Sequence, residues 1–142
     1  MALNEKILEN YRRSLGYDDQ QWELWRSNPH NIKVAEALIE AQKYTVIAEV
    51  VKSCNCGAGH KEGDRLIFTG AGSYVRKEPE GPVCLGALGP VIPMVNTEII
   101  NTIIAGGDPE NVVWDVVHCS DVGVEYGGWG EILMKVRIEK TA

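Results

Sequence analysis

The sequence predicts an α+β fold: a small, mainly antiparallel sheet with one packed helix, preceded by an N-terminal helical segment. Three observations predict it. Up to residue 43 the apolar residues recur at helical spacing. From Tyr44 onward short β-branched runs take over. The last such run places Ile132, Met134, Val136 and Ile138 in strict alternation, the period of a half-buried strand. Residues 1–43 therefore read as a helical extension, and residues 44–142 as one α+β unit carrying all the cysteines.

In chain order, Leu3, Ile7, Leu8, Tyr11 and Leu15 form one helical face, stopped by Gly16. Asp18 is placed to cap a second helix, with Gln21 as its capping-box partner; Trp22 and Trp25 follow three apart. Asn28-Pro29 opens a third helix, with Ile32, Ala35, Leu38 and Ile39 on its stripe. Tyr44–Val51 is a strand, Cys54–Gly63 a glycine-rich loop, and Arg65–Thr69 a second strand. Gly70–Pro82 reads as a loop because of its glycines and prolines. A short helix is expected over Cys84–Leu88, a break at Pro90 and Pro93, and a helix over Asn96–Ala105 ending at Gly106-Gly107. Val112–Val117 is a third strand, Gly123–Gly130 a loop, and Glu131–Glu139 a fourth strand, set antiparallel to the first. The N-terminal helices either pack on the sheet or form a protruding arm.

Charge narrows the function classes. Fourteen basic and twenty acidic residues give a net charge of −6 with no dense basic stretch, which argues against nucleic acid or an anionic membrane as the main partner. No apolar run approaches the roughly 20 residues of a bilayer span. Met1–Tyr11 reads as an acidic amphipathic helix rather than a secretory signal, so a cytoplasmic location with reduced thiols is expected. No G-x-G-x-x-G follows a strand, and neither a phosphate loop nor G-x-S-x-G is present, so nucleotide binding and serine hydrolysis are unsupported.

The densest chemistry is Cys54-Asn-Cys56-Gly-Ala-Gly-His60-Lys-Glu-Gly-Asp64. Thiolate and imidazole are soft or borderline donors that suit zinc, iron and iron–sulfur centres, and glycines let a loop fold tightly around one point. The plainer alternative is a glycine turn between strands that happens to carry two thiols. Cys84 sits at an expected helix start, which favours thiolate, although Val83, Leu85 and Leu88 beside it equally suit packing. Cys119 ends the third strand, before Ser120-Asp121. Asp64 is positioned to orient His60 as an outer acceptor, and Lys61 to neutralise thiolate charge; otherwise they are turn and solvated residues. His118 should point away from Cys119 as a packed or surface histidine, and His30 into solvent.

The pattern Cys56-x-x-x-His60-Lys-x-Gly-Asp64, then Gly81-x-x-Cys84-x-x-Ala87-Leu88, then Cys119 resembles a family of short uncharacterised prokaryotic proteins. Those proteins carry C-x-x-G-H-K-x-G-D, G-x-x-C-x-x-A-L and a late cysteine. The resemblance covers about Tyr44–Lys140; the N-terminal helices and Cys54 are extra to it. It implies that Cys56, His60, Cys84 and Cys119 belong to one set, and it brings no activity with it.

With no C-x-x-C knuckle, these scattered donors suit an iron–sulfur cluster, or a zinc or iron site with an open position. A 4Fe–4S cluster ranks ahead of zinc, with Cys54 or His60 as fourth ligand. Three function classes follow: a metal or cluster module acting as an accessory or electron-transfer subunit, a small metal-dependent enzyme with an open coordination position, and a metal-free thiol or interaction protein. Tyr11, Tyr17, Trp22 and Trp25 exceed what three small helices are expected to bury among themselves, so a homo-oligomer or a larger protein partner is expected to contact them. Trp129, in a glycine-rich loop, either closes over the site or sits in a plain hairpin loop.

Overall fold

The computed structural model describes residues 5–111 and 115–141. It carries the expected α+β architecture, with helices α1 (Glu5–Leu15), α2 (Asp19–Arg26) and α3 (Pro29–Ala41) leading into the sheet. Local hydrogen bonds set their ends. Asp18 Oδ1 accepts from the Gln21 N–H at 2.7 Å, and Gln21 Oε1 accepts from the Asp18 N–H at 3.1 Å. Asn28 Oδ1 accepts from the His30 N–H at 3.0 Å, with Pro29 in the first turn, where it sacrifices no bond. The helices bury more of the aromatic cluster among themselves than its size suggests. Trp22 and Trp25 stack at 5.3 Å, Tyr11 lies 5.7 Å from Trp25, and the Arg12 and Arg26 guanidiniums sit over Trp22. Trp22 is buried, while Tyr11, Tyr17 and Trp25 remain half-buried.

The sheet has five antiparallel strands in the order β3-β2-β1-β5-β4: β1 (Tyr44–Cys54), β2 (Arg65–Thr69), β3 (Tyr74–Glu78), β4 (Val116–His118) and β5 (Glu131–Lys140). The first and last strands pair at its centre, Val46 facing Ile138 and Cys54 facing Glu131, with a bulge between Val50 and Lys52. Val46, Ala48 and Val50 of β1, Leu66 and Phe68 of β2, and the alternating residues of β5 turn one face inward. Onto it pack α4 (Leu85–Pro93), a π-helical turn (Met94–Glu98) and α5 (Ile99–Ile104), through Ala87, Val91, Met94, Val95, Ile99 and Ile100. Ala37 and Ala41 of α3 join the same core, so more than one helix covers the sheet. Met134 is fully buried at its centre. Met134→Ala is expected to cost about 2–5 kcal/mol, read as a lower urea midpoint.

Three segments differ from the sequence expectation. The stretch Gly70–Pro82, expected as a loop, contains edge strand β3. Its Tyr74, Val75 and Arg76 are exposed, so no apolar alternation marks it. Charges secure it instead: Glu78 pairs with Arg65 of β2 and with Arg76, and these cations hold its carboxyl below the usual range. A carboxylate with a depressed folded pKa stabilises above its unfolded value, about 4.3, and loses that contribution as pH falls through the folded value. The melting-temperature gap between the wild type and Glu78→Gln is thus expected to be present at pH 7 and to close in acid. An equal gap at both pH values would remove this role.

The prolines do not break the second helical region. Cys84 is the N-cap, and the helix runs on from Leu85 to Ile104, 20 residues, through both Pro90 and Pro93. Pro90 has no N–H to offer the Gly86 carbonyl, which accepts instead from the Ser120 N–H at 3.0 Å. The π-helical turn directly after Pro93 absorbs the remaining mismatch. This is the length a bilayer span needs, against the expectation that no apolar run reaches it. One side of it lies in the core, and the other exposes Asn96, Thr97, Glu98 and Asn101 together with Leu85, Ile92 and Ile104. Finally, β4 covers Val116–His118 at the end of the expected Val112–Val117 strand, and Val112–Trp114 lie outside the described residues.

Candidate functional site

At the end of the sheet where β1 finishes and β5 begins lies a cavity of about 260 Å³. Cys56, Ala58 and His60 reach it from the β1–β2 loop, Cys84 and Ala87 from the start of α4, and Cys119 to Asp121 from the segment after β4. Trp129, Gly130, Glu131 and Ile132 complete its wall. Three of the four cysteines, drawn from three separate segments, thus share one cavity with His60. Cys54 does not: it is exposed and lines a smaller neighbouring cavity with Asn55 and the residues from Val122 to Tyr126, the two cavities sharing Gly130 and Glu131. The cause is local. Cys54 is still paired in β1, whereas Asn55 takes a left-handed conformation, φ +53°, that turns the chain before Cys56.

The three cysteines are positioned by backbone contacts. Cys119 N–H bonds the Ile132 carbonyl at 3.1 Å, and Cys119 Sγ accepts from the Ile132 N–H at 3.4 Å. The same thiol donates to the Asp121 carbonyl at 3.7 Å. The Asp121 carboxylate accepts from the N–H groups of Gly123, Trp129 and Gly130 at 3.0–3.1 Å, which ties the loop together and holds its pKa below the usual range, the Gly123 bond first among the causes. Asp-x-Gly at 121–123 is the sequence signature of this turn, and it offered the means to single out Asp121.

His60 is buried, 3% exposed, and its Nε2 accepts from the Cys84 N–H at 3.2 Å. Its proton therefore sits on Nδ1, and burial, followed by the charge on Lys77, pushes its pKa down. It is a neutral strut between the β1–β2 loop and the start of α4. Asp64 does not hold it as expected, because His60 Nδ1 lies 4.0 Å from Asp64 Oδ2, too far for a hydrogen bond. Asp64 pairs instead with buried Lys77 of β3 at 3.4 Å and accepts from the Lys61 N–H at 3.0 Å. Lys61 contributes its backbone, its side chain being exposed and away from the cavity wall. His60→Gln keeps an acceptor for the Cys84 N–H and is expected to stay within about 1 kcal/mol of the wild type, whereas His60→Ala should cost about 1–3 kcal/mol. Equal losses in a urea titration would contradict the strut.

His118 faces oxygen at both ring nitrogens: Nδ1 lies 2.6 Å from the Cys119 carbonyl and Nε2 2.9 Å from Glu131 Oε2. The Cys119 carbonyl first, then the Glu131 carboxylate, raise its pKa. Glu131 also meets Lys52 at 3.3 Å. His30 is exposed on α3. The indole of Trp129 stands at the cavity mouth, 86% exposed.

Among the described residues, all four cysteines are free thiols, and no three His, Cys, Asp or Glu side chains gather closely enough to hold a single metal ion. A cluster spreads its thiolate ligands over several irons and does not require them to converge on one atom. No family model, no curated protein and no solved structure matches this chain.

Proposed function

We propose that this protein is an iron–sulfur module in which Cys56, Cys84 and Cys119 hold a 4Fe–4S cluster, acting as an accessory or electron-transfer subunit. One observation carries it: three thiols from three separate segments line one largely apolar cavity. Thiolates are the usual ligands of such clusters, and amide donors to ligand sulfur, as Ile132 offers Cys119, tune their potential. When bound, the cluster supplies one-electron chemistry. The chain's part is to supply three thiolates, exclude water with Ala87 and Ile132, and keep one side near the surface, where Cys84 and Trp129 are exposed. The N-terminal helices then serve association, since they bring no residue to the cavity wall.

Expression and purification of the full chain without oxygen tests this. The expected product is brown, with broad visible absorbance bleached by dithionite and roughly four irons and four sulfides per chain. A colourless protein, whether it holds zinc or no metal, would overturn it.

A further inference from the structure

The loop between Cys119 and Gly130 turns four large apolar side chains to water. Val122, Val124, Tyr126 and Trp129 are 53%, 65%, 77% and 86% exposed. Leu85, whose neighbours Cys84 and Gly86 line the same cavity as Trp129, is 82% exposed. The backbone that carries the four is held in place. The Asp121 carboxylate accepts from three of its amides, and the Gly128 N–H donates to the Gly123 carbonyl at 2.7 Å. A fixed loop with its apolar side chains outward is organised for contact in advance, so docking carries little ordering cost.

We infer that this loop docks a protein partner that presents arginine or lysine side chains within an apolar surface. The charges choose that partner. From Cys119 to Gly130 the chain has no basic residue. Glu125 is exposed and has no hydrogen bond or ion pair among the described residues. With Glu131, Val122, Val124 and Tyr126 it lines a recess beside the cavity. That wall offers apolar surface to the stem of a basic side chain, a carboxylate to its head and an aromatic ring for cation–π contact. Glu131 is already paired with Lys52 and His118, so Glu125 is the carboxylate left for an incoming cation. A second copy would instead bring another Glu125 and another net charge of −6. Burying all five apolar side chains would cover roughly 700 Å² on this side, short of the roughly 2,000 Å² total at which permanent homodimers begin. Docking here does not depend on what the cavity holds.

The experiment measures fluorescence anisotropy of labelled 18-residue amphipathic helices titrated with the full chain. One peptide is built of leucine, alanine and arginine, a second carries glutamate for arginine, and a third serine for leucine. The first is expected to bind with a Kd on the order of 10 μM, and the other two at least tenfold more weakly. Trp129→Ala and Tyr126→Ala should each weaken it about tenfold, and Glu125→Gln about threefold with a shallower salt dependence. Leu24→Ala, which removes an equally exposed side chain from α2, should change nothing. No binding of the first peptide, or equal binding of the glutamate peptide, would overturn the partner's chemistry. A loss in Leu24→Ala equal to that in Trp129→Ala would take the site off this loop. Dimerisation in sedimentation velocity, or co-sedimentation with phosphatidylcholine vesicles, would overturn the proposal if Trp129→Ala abolished it, because a second copy or a bilayer would then be the occupant.

Discussion

Gly130→Ala is expected to destabilise the fold by about 3 kcal/mol or more, one of the largest effects of any single methyl group in the chain. A Cβ at this position would meet the Asn55 carbonyl oxygen at 2.0 Å and the Cys54 carbonyl oxygen at 2.9 Å. Both are backbone atoms, so no side chain can rotate out of the way. The strands β1 and β5 would have to part where Cys54 faces Glu131, the junction that shapes the cavity. Loss of the site is therefore expected together with loss of stability. Gly57→Ala is the control: its Cβ meets nothing within 4 Å, and its effect should stay within about 0.5 kcal/mol. Urea titration of both variants checks the pair, and a Gly130→Ala protein as stable as the control would contradict the close approach.

The second large effect concerns the thiols. Cys56→Ser, Cys84→Ser and Cys119→Ser are each expected to lose most of the iron and sulfide, and Cys54→Ser to keep both. Cluster binding is also folding energy, so the three depleted variants should unfold about 3 kcal/mol more easily than the loaded wild type. Iron analysis alongside urea titration separates the cases. Loss in Cys54→Ser equal to that in the other three would show that the cavity does not define the site.

What was legible in the sequence was what is decided within a few residues or within one face. The Asp18–Gln21 box and the Asn28-Pro29 start rest on bonds spanning two or three positions, and they form as read. The alternation from Ile132 to Ile138 marks a strand buried on one face at the sheet centre. Edge strand β3 escaped because exposure on both faces leaves no period to read. The helix through Pro90 escaped because its freed carbonyl finds a partner in Ser120, thirty-four positions beyond Gly86.

The site divides in the same way. That Cys56, Cys84 and Cys119 stand at element boundaries was visible, and they do line one cavity. That Cys54 goes elsewhere depends on strand register and on the left-handed Asn55. That His60 serves the Cys84 amide, and Asp64 serves Lys77, depends on contacts between a loop, a helix start and a strand that local pattern did not reveal.

The most direct single measurement is an iron-edge X-ray absorption spectrum of Cys54→Ser protein prepared without oxygen. The expected spectrum shows a sulfur shell around iron together with a short iron–iron distance, as a cluster held by the other three cysteines requires. A spectrum with nitrogen or oxygen ligands and no iron–iron scattering, or a sample without iron at all, would contradict a cluster in this cavity.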